Sequence, residues 1–142
     1  HAVFSAHHDA IAADCSPIPH ALKTWDDLEA WFMAHVELQA QSEATRGCPF
    51  GGVGNELGED DELLRLDIDR IFTTVEHRLA RLFVLEQSSG RLRSDVDVDA
   101  LATYCMAVVQ GAMLLGKIRR DVAQARRSIE VALGHLRSLR VN

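Results

Sequence analysis

The chain has 142 residues, 47% of them hydrophobic, and a formal charge of -6 from 21 acidic and 15 basic side chains. That length suits one domain with a real core, and the acidic balance excludes a segment that grips a phosphate backbone, where affinity comes mainly from Lys and Arg. Cys15, Cys48 and Cys105 are too few, too spread and odd in number for a disulfide framework, which points to a reducing, cytoplasmic setting, and no charged leader with an apolar stretch opens the chain.

The opening, HAVFSAHHDAIAAD, reads as a helix already under way, and His1 is not an initiator Met, so a preceding segment is expected. His7, His8, Asp9 and Cys15 make no metal set, because adjacent histidines on a helix project in different directions and no second cluster with zinc-like spacing follows. Pro17 and Pro19 mark a loop. Thr24, with Asp27 three residues on, starts a helix from Trp25 to about Glu43 whose inward stripe is Trp25, Leu28, Trp31, Phe32, His35 and Gln39.

Arg46 to Gly58 (RGCPFGGVGNELG) is a glycine-rich connector holding at most a short helix that ends at Gly58. It is no phosphate cradle: no strand precedes it, no GK[ST] ends it, and Glu56, Glu59, Asp60 and Asp61 would repel a phosphate. Cys48 is read as an inert thiol, with only Arg46 nearby to lower its pKa. From Asp60 the acidic start of a long helix runs to about Gln87, striped by Leu64, Ile68, Ile71, Phe72, Val75, Leu79, Leu82 and Phe83. Ser88 to Gly90 ends it.

Asp97 then caps an apolar helix whose core, Ala100 to Gly116, has only Thr103 and Gln110 as polar members. A chain this short cannot easily wrap such a helix on nearly all sides, so a partner subunit is the simplest second cover. A bilayer is the weaker reading, since Gln110 and two glycines interrupt the run and nothing else approaches a span. Lys117, Arg119 and Arg120 sit at its favourable C-terminal pole. Asp121, with Gln124 three on, opens a last helix striped by Val122, Ala125, Ile129, Ala132, Leu133, Leu136 and Leu139. The arginines near the end, Arg126, Arg127, Arg137 and Arg140 among them, read as a solvated face rather than a nucleic-acid patch. No run alternates as a strand, so the fold class is all-α: a bundle of about five long helices plus one short one.

Taken in order, the GCPFG segment at 47–51, an acidic helix start, a long amphipathic helix, then RLRSDVDVDALATYCMAVVQGAMLLGKIRRD at 91–121 and a final amphipathic helix resemble the C-terminal regulatory domain of TetR-family transcription regulators. The likeness runs from Arg46 to about Leu139. It implies a single effector-binding and dimerisation domain over residues 1–142, with residues 1–14 as the tail of a linking helix and a helix-turn-helix headpiece, absent from this chain, upstream. It also implies a homodimer whose last two helices pair with their copies in a four-helix bundle, and a small-molecule pocket enclosed by the other helices.

On that basis Tyr104, Ala107, Gly111, Leu114 and Ile118, with Ile129, Leu133 and Leu136, are expected at the dimer interface. Trp31, Phe32, His35, Phe72, Val75, Met106, Val109 and Met113 are expected to line the pocket and to take a small, largely apolar or aromatic effector, with His35 as its polar handle. Gln110 reads as exposed. No catalytic constellation or cofactor motif can be placed, so an enzyme is not expected. The expected partners are a second copy and the effector, with DNA reached only through the headpiece and no membrane. A plain helical scaffold without a ligand is the alternative.

Overall fold

The computed structural model describes residues 22–142, so the expected opening helix and the group His7, His8, Asp9 and Cys15 lie outside the described residues. Within them stand α1 (Trp25–Gln41), α2 (Pro49–Asn55), α3 (Glu62–Ser88), α4 (Val98–Arg119) and α5 (Val122–Ser138), four long helices and one short one. The expected all-α class is what is found.

Local chemistry sets most of the boundaries. Thr24 and Asp27 form a reciprocal capping box: the Thr24 hydroxyl accepts from Asp27 N at 3.1 Å, and the Asp27 carboxylate accepts from Thr24 N at 2.9 Å. Asp97 Oδ1 accepts from the amides of Asp99 and Ala100, both at 3.1 Å. Asp121 accepts from Ala123 N at 2.9 Å, but Gln124 does not complete a box there; its carbonyl accepts from Arg119 Nη1 at 2.6 Å. Two starts and stops differ from expectation. The short helix ends at Asn55, three residues before Gly58. Asp61 is the N-cap residue of α3, yet its carboxylate turns back to accept from Gly58 N at 2.8 Å and leaves the cap to the backbone. Gly90 closes α3 at φ +75°, a conformation that favours glycine.

α4 lies at the centre and touches α1, α3 and α5. By length and composition it is the one helix among the described residues able to cross a membrane, and one of its sides is packed into the core of the domain. Leu101, Cys105, Val109 and Ala112 share one buried cluster with Trp31, Phe32, Leu79, Phe83, Ile129 and Leu136 from the other long helices. Gln39 is 1% exposed and donates from Nε2 to the carbonyls of Met113, at 2.7 Å, and Arg46, at 3.3 Å. One buried amide thus ties the end of α1 to α4 and to the connector.

A second polar tie closes the other end. Glu86 is 3% exposed, and its carboxylate accepts from Arg91 and lies 3.7 Å from Arg140. Arg140 in turn stacks over the Trp25 ring at 4.6 Å. The chain end pairs with the α3–α4 loop through the Leu92–Arg140 bridge.

Candidate functional site

The glycine-rich connector and α2 lean on α3 and α4 and leave open space on both sides. One cleft, of about 350 Å³, lies between α2, Phe72 of α3 and the α4 residues Gln110, Gly111, Leu114 and Lys117. The other, of about 890 Å³, lies between the end of α1, the connector and α4, with Leu38, Gln41, Arg46, Met113 and Lys117 in its walls. Gly47, Cys48, Gly52 and Lys117 line both, so the two are lobes of one groove around the start of α2. Small residues make that closeness possible. A Cβ on Gly51 would stand 2.2 Å from Gln110 Oε1, so the α2 backbone lies directly on the Gln110 amide. Gln110 is therefore half-buried under α2, not exposed as expected.

Of the expected pocket residues, Phe72 and Met113 reach this groove, one in each lobe. Trp31, Phe32, Val75, Met106 and Val109 line neither lobe and are packed in the core cluster. An apolar stripe reads the same whether it faces a filled core or a cavity wall, so periodicity did not separate the two groups. The part of the lining that comes from the connector is mostly glycine and small polar side chains, which carry no periodicity.

His35 is half-buried with its ring edge-on to Trp31 at 4.9 Å. Its Nδ1 is 2.8 Å from the Trp31 carbonyl, which can only accept; Nδ1 therefore donates, and Nε2 carries the lone pair. Burial pushes the imidazole pKa below the usual 6.5, against a smaller upward pull from that carbonyl. A base depressed in the folded state resists protonation there, so its contribution to stability is intact above pH 6.5 and is lost as pH falls below that value towards the folded pKa. His35→Gln is expected to remove this part of the acid sensitivity. Urea midpoints of the two proteins at pH 7.5 and 5.5 check it: the wild type should lose more than the variant on acidification, and equal losses would contradict the assignment. Cys105, fully buried in α4, has its thiol pushed up to about 12 by burial and is inert. Cys48 accepts from Gly51 N at 3.5 Å and serves as the N-cap of α2.

The dimer expectation divides in the same way. Ile129, Leu133 and Leu136 are 0%, 4% and 0% exposed in the single chain, so the protomer's own core already covers them. They lie on the side of α5 that packs against α1 and α4, and helical period alone does not say which neighbour covers a stripe. Ala107, Leu114 and Ile118 are exposed, and Tyr104 and Gly111 half-buried, along one outward line of α4. Tyr104 meets His135 of α5 edge-on at 5.7 Å, so the two helices share an outer face. No group of three or more metal-binding side chains occurs among the described residues.

The family model described as "Tetracyclin repressor-like, C-terminal domain" matches residues 25–132. The chain belongs to the TetR family. It stands there as a C-terminal domain, as the resemblance implied. The transcriptional regulator AcuR of Cereibacter sphaeroides is 36% identical over 73 residues, 51% of this chain and 33% of that protein. The HTH-type transcriptional repressor DhaR of a Mycobacterium species is 32% identical over 95 residues, 66% of this chain and 46% of that protein. The chain thus spans less than half the length of these curated relatives. In fold, this TetR-family domain is similar to a regulatory protein TetR from Rhodobacter sphaeroides, with a TM-score of 0.71 and 25% identity over 99% of this chain and 69% of that one. A TetR transcriptional regulator from Chloroflexus aurantiacus gives 0.76 at 19% identity over 98% of this chain and 70% of that one, which speaks for the fold alone.

Proposed function

We propose that this domain is the effector-binding and dimerisation part of a cytoplasmic transcriptional regulator, of the repressor type, that holds a small, largely apolar or aromatic molecule in the groove around α2. Residues 1–142 act as one such unit, and DNA is contacted by a headpiece outside this chain. Two copies join through the outward faces of α4 and α5 into a four-helix bundle. The role has no catalytic step. A ligand that favours one arrangement of the helices would shift the headpieces, which must sit about 34–36 Å apart to read successive major grooves.

The observation that carries this reading is the uncovered apolar line on the central helix. Ile118 is 67% exposed and Leu114 44%, and Val131 on α5 is 75% exposed. Contiguous apolar surface of this kind marks an interaction site on a soluble domain. A Cβ on Gly111 or Gly134 would meet nothing, so this face is flat enough for another helix to approach closely. Regulators of this family act as dimers that bind DNA and small effectors.

Ile118→Arg tests the reading, because the side chain is mostly in solvent and the protomer should keep its fold within about 0.5 kcal/mol. Sedimentation equilibrium is expected to show a dimer for the wild type and an association at least about tenfold weaker for the variant. A wild type that stays a folded monomer at high concentration would overturn it. The packed state of Trp31, Phe32, Met106 and Val109 favours a second reading, a dimerising scaffold without a ligand. Titration with small aromatic compounds, followed by heteronuclear NMR, separates the two: shifts at Phe72 and Gln110 support an effector, and an unresponsive groove supports the scaffold.

A further inference from the structure

The charges around the groove run against those of the whole protein. The chain carries more acidic than basic side chains, yet neither lobe has an acidic residue in its lining, and the charged residues there are Lys117 and Arg46. Elsewhere Arg65, Arg70, Arg91, Arg93, Arg127 and Arg137 each lie within 3.6 Å of a carboxylate, while Arg78, Arg81, Arg119, Arg120 and Arg126 stand outside the groove without an ion pair to a described residue. Among the described residues, Lys117 and Arg46 have no such partner. A cleft that holds cations and leaves out every counter-charge has a positive local potential in a negative molecule, and low-dielectric walls on both sides concentrate it.

The geometry holds one of these cations at the junction of the lobes. Lys117 lines both, and its Cδ lies 3.6 Å from where a Gly47 Cβ would stand, so the aliphatic stem rests along the connector where the lobes meet. Gln110, held beneath Gly51, adds an amide to the same lobe. Phe72 and Leu114 in that lobe, and Met113 and Leu38 in the other, supply apolar wall. Lys117 also sits in the last turn of α4, where its charge offsets the negative pole of the helix that an incoming anion would otherwise meet.

We propose that the effector is a small organic anion, a carboxylate whose apolar body lies on Phe72 and whose charged end is met by Lys117. This rests on the effector-binding reading above and names the class of ligand. Because the ion pair is open to solvent, the apolar body supplies most of the affinity and Lys117 supplies the preference for a negative charge.

The test uses benzoate and benzyl alcohol, two probes of the same ring and nearly the same size that differ in charge, titrated into wild type and Lys117→Met. Benzoate is expected to bind the wild type at least about fivefold more tightly than benzyl alcohol, and the variant is expected to lose that preference while its affinity for the alcohol stays put. Raising the ionic strength should weaken benzoate binding alone. If the variant fails to fold, that salt dependence and Arg46→Gln, which should weaken benzoate modestly, carry the same test. Equal affinities for the two probes would overturn the anion proposal and leave the effector reading standing. Inorganic phosphate competing as well as benzoate would overturn the apolar half of the proposal. Failure of both probes to bind would overturn the proposal, and failure of a wider set of neutral aromatics as well would count against the effector reading.

Discussion

Gly116→Ala is expected to destabilise the domain by about 2 kcal/mol, although alanine is normally about 1 kcal/mol better than glycine inside a helix. The new Cβ would stand 2.2 Å from Gln39 Oε1 and 2.9 Å from its Cδ, both far inside contact distance. A flexible side-chain tip would ordinarily swing away, but this one is buried and anchored, with Nε2 bonded to Met113 O at 2.7 Å and Arg46 O at 3.3 Å. Moving it breaks both bonds inside the core, and a buried polar group left without partners costs about 1–3 kcal/mol.

Gly51→Ala is the control, because it meets Gln110 Oε1 at the same 2.2 Å. Gln110 is only half-buried and is not bonded to a described residue, so it can turn aside and the change should fall within about 0.5 kcal/mol. Gly134→Ala meets nothing and should stabilise an isolated protomer by about 0.5–1 kcal/mol. Denaturant midpoints on Gly116→Ala in the wild-type and Gln39→Ala backgrounds decide the cause. With the amide gone, the glycine-to-alanine step should change sign and become stabilising; an unchanged penalty would place the strain elsewhere.

The same pair of residues shows what could be read before any coordinates. Gln39 stood in the inward stripe of its helix by position alone, a polar residue at a core register, and it is buried there. Thr24 with Asp27, Asp97 and Asp121 announced three helix starts, because capping is settled within three or four residues. Glu86 occupies the same register on α3, following Leu79, Leu82 and Phe83 along the buried face, but its partners, Arg91 and Arg140, lie across a loop and at the far end of the described chain, beyond the reach of local pattern. The groove was hidden for the related reason that it is made by a glycine-rich segment folding back over α4, and absent side chains have no periodicity to detect. On α5, Val131 faces out while Ile129 and Leu133 face in. Amphipathic spacing gave the width of the apolar band and left open which part another subunit would cover.

Glu86→Ala is expected to cost about 2 kcal/mol. Removing one partner of a fully buried ion pair costs about 3–5 kcal/mol, since the remaining charge is stranded. Here the figure is smaller, because the Arg91 side chain is half exposed and can turn to water. Arg140 is more constrained: it is stacked on Trp25 and its Nε is buried without a partner, although the side chain is about a third exposed, so the nearby carboxylate offsets a partly desolvated charge. The loss should therefore appear at the chain end, where Arg93 N donates to Leu139 O and Val141 N to Arg91 O, at 3.1 and 2.9 Å. Hydrogen exchange at those two amides should accelerate together with the fall in the urea midpoint. Glu86→Gln keeps the shape and one acceptor and should fall between the wild type and Glu86→Ala. Arg140→Met, which keeps an apolar stem over Trp25 and removes the charge, should recover part of the loss in the Glu86→Ala background. If Glu86→Gln proves as stable as the wild type, the carboxylate charge is not what fastens the end of the chain, and the fastening must be assigned to the backbone pairing of Leu92 with Arg140 alone.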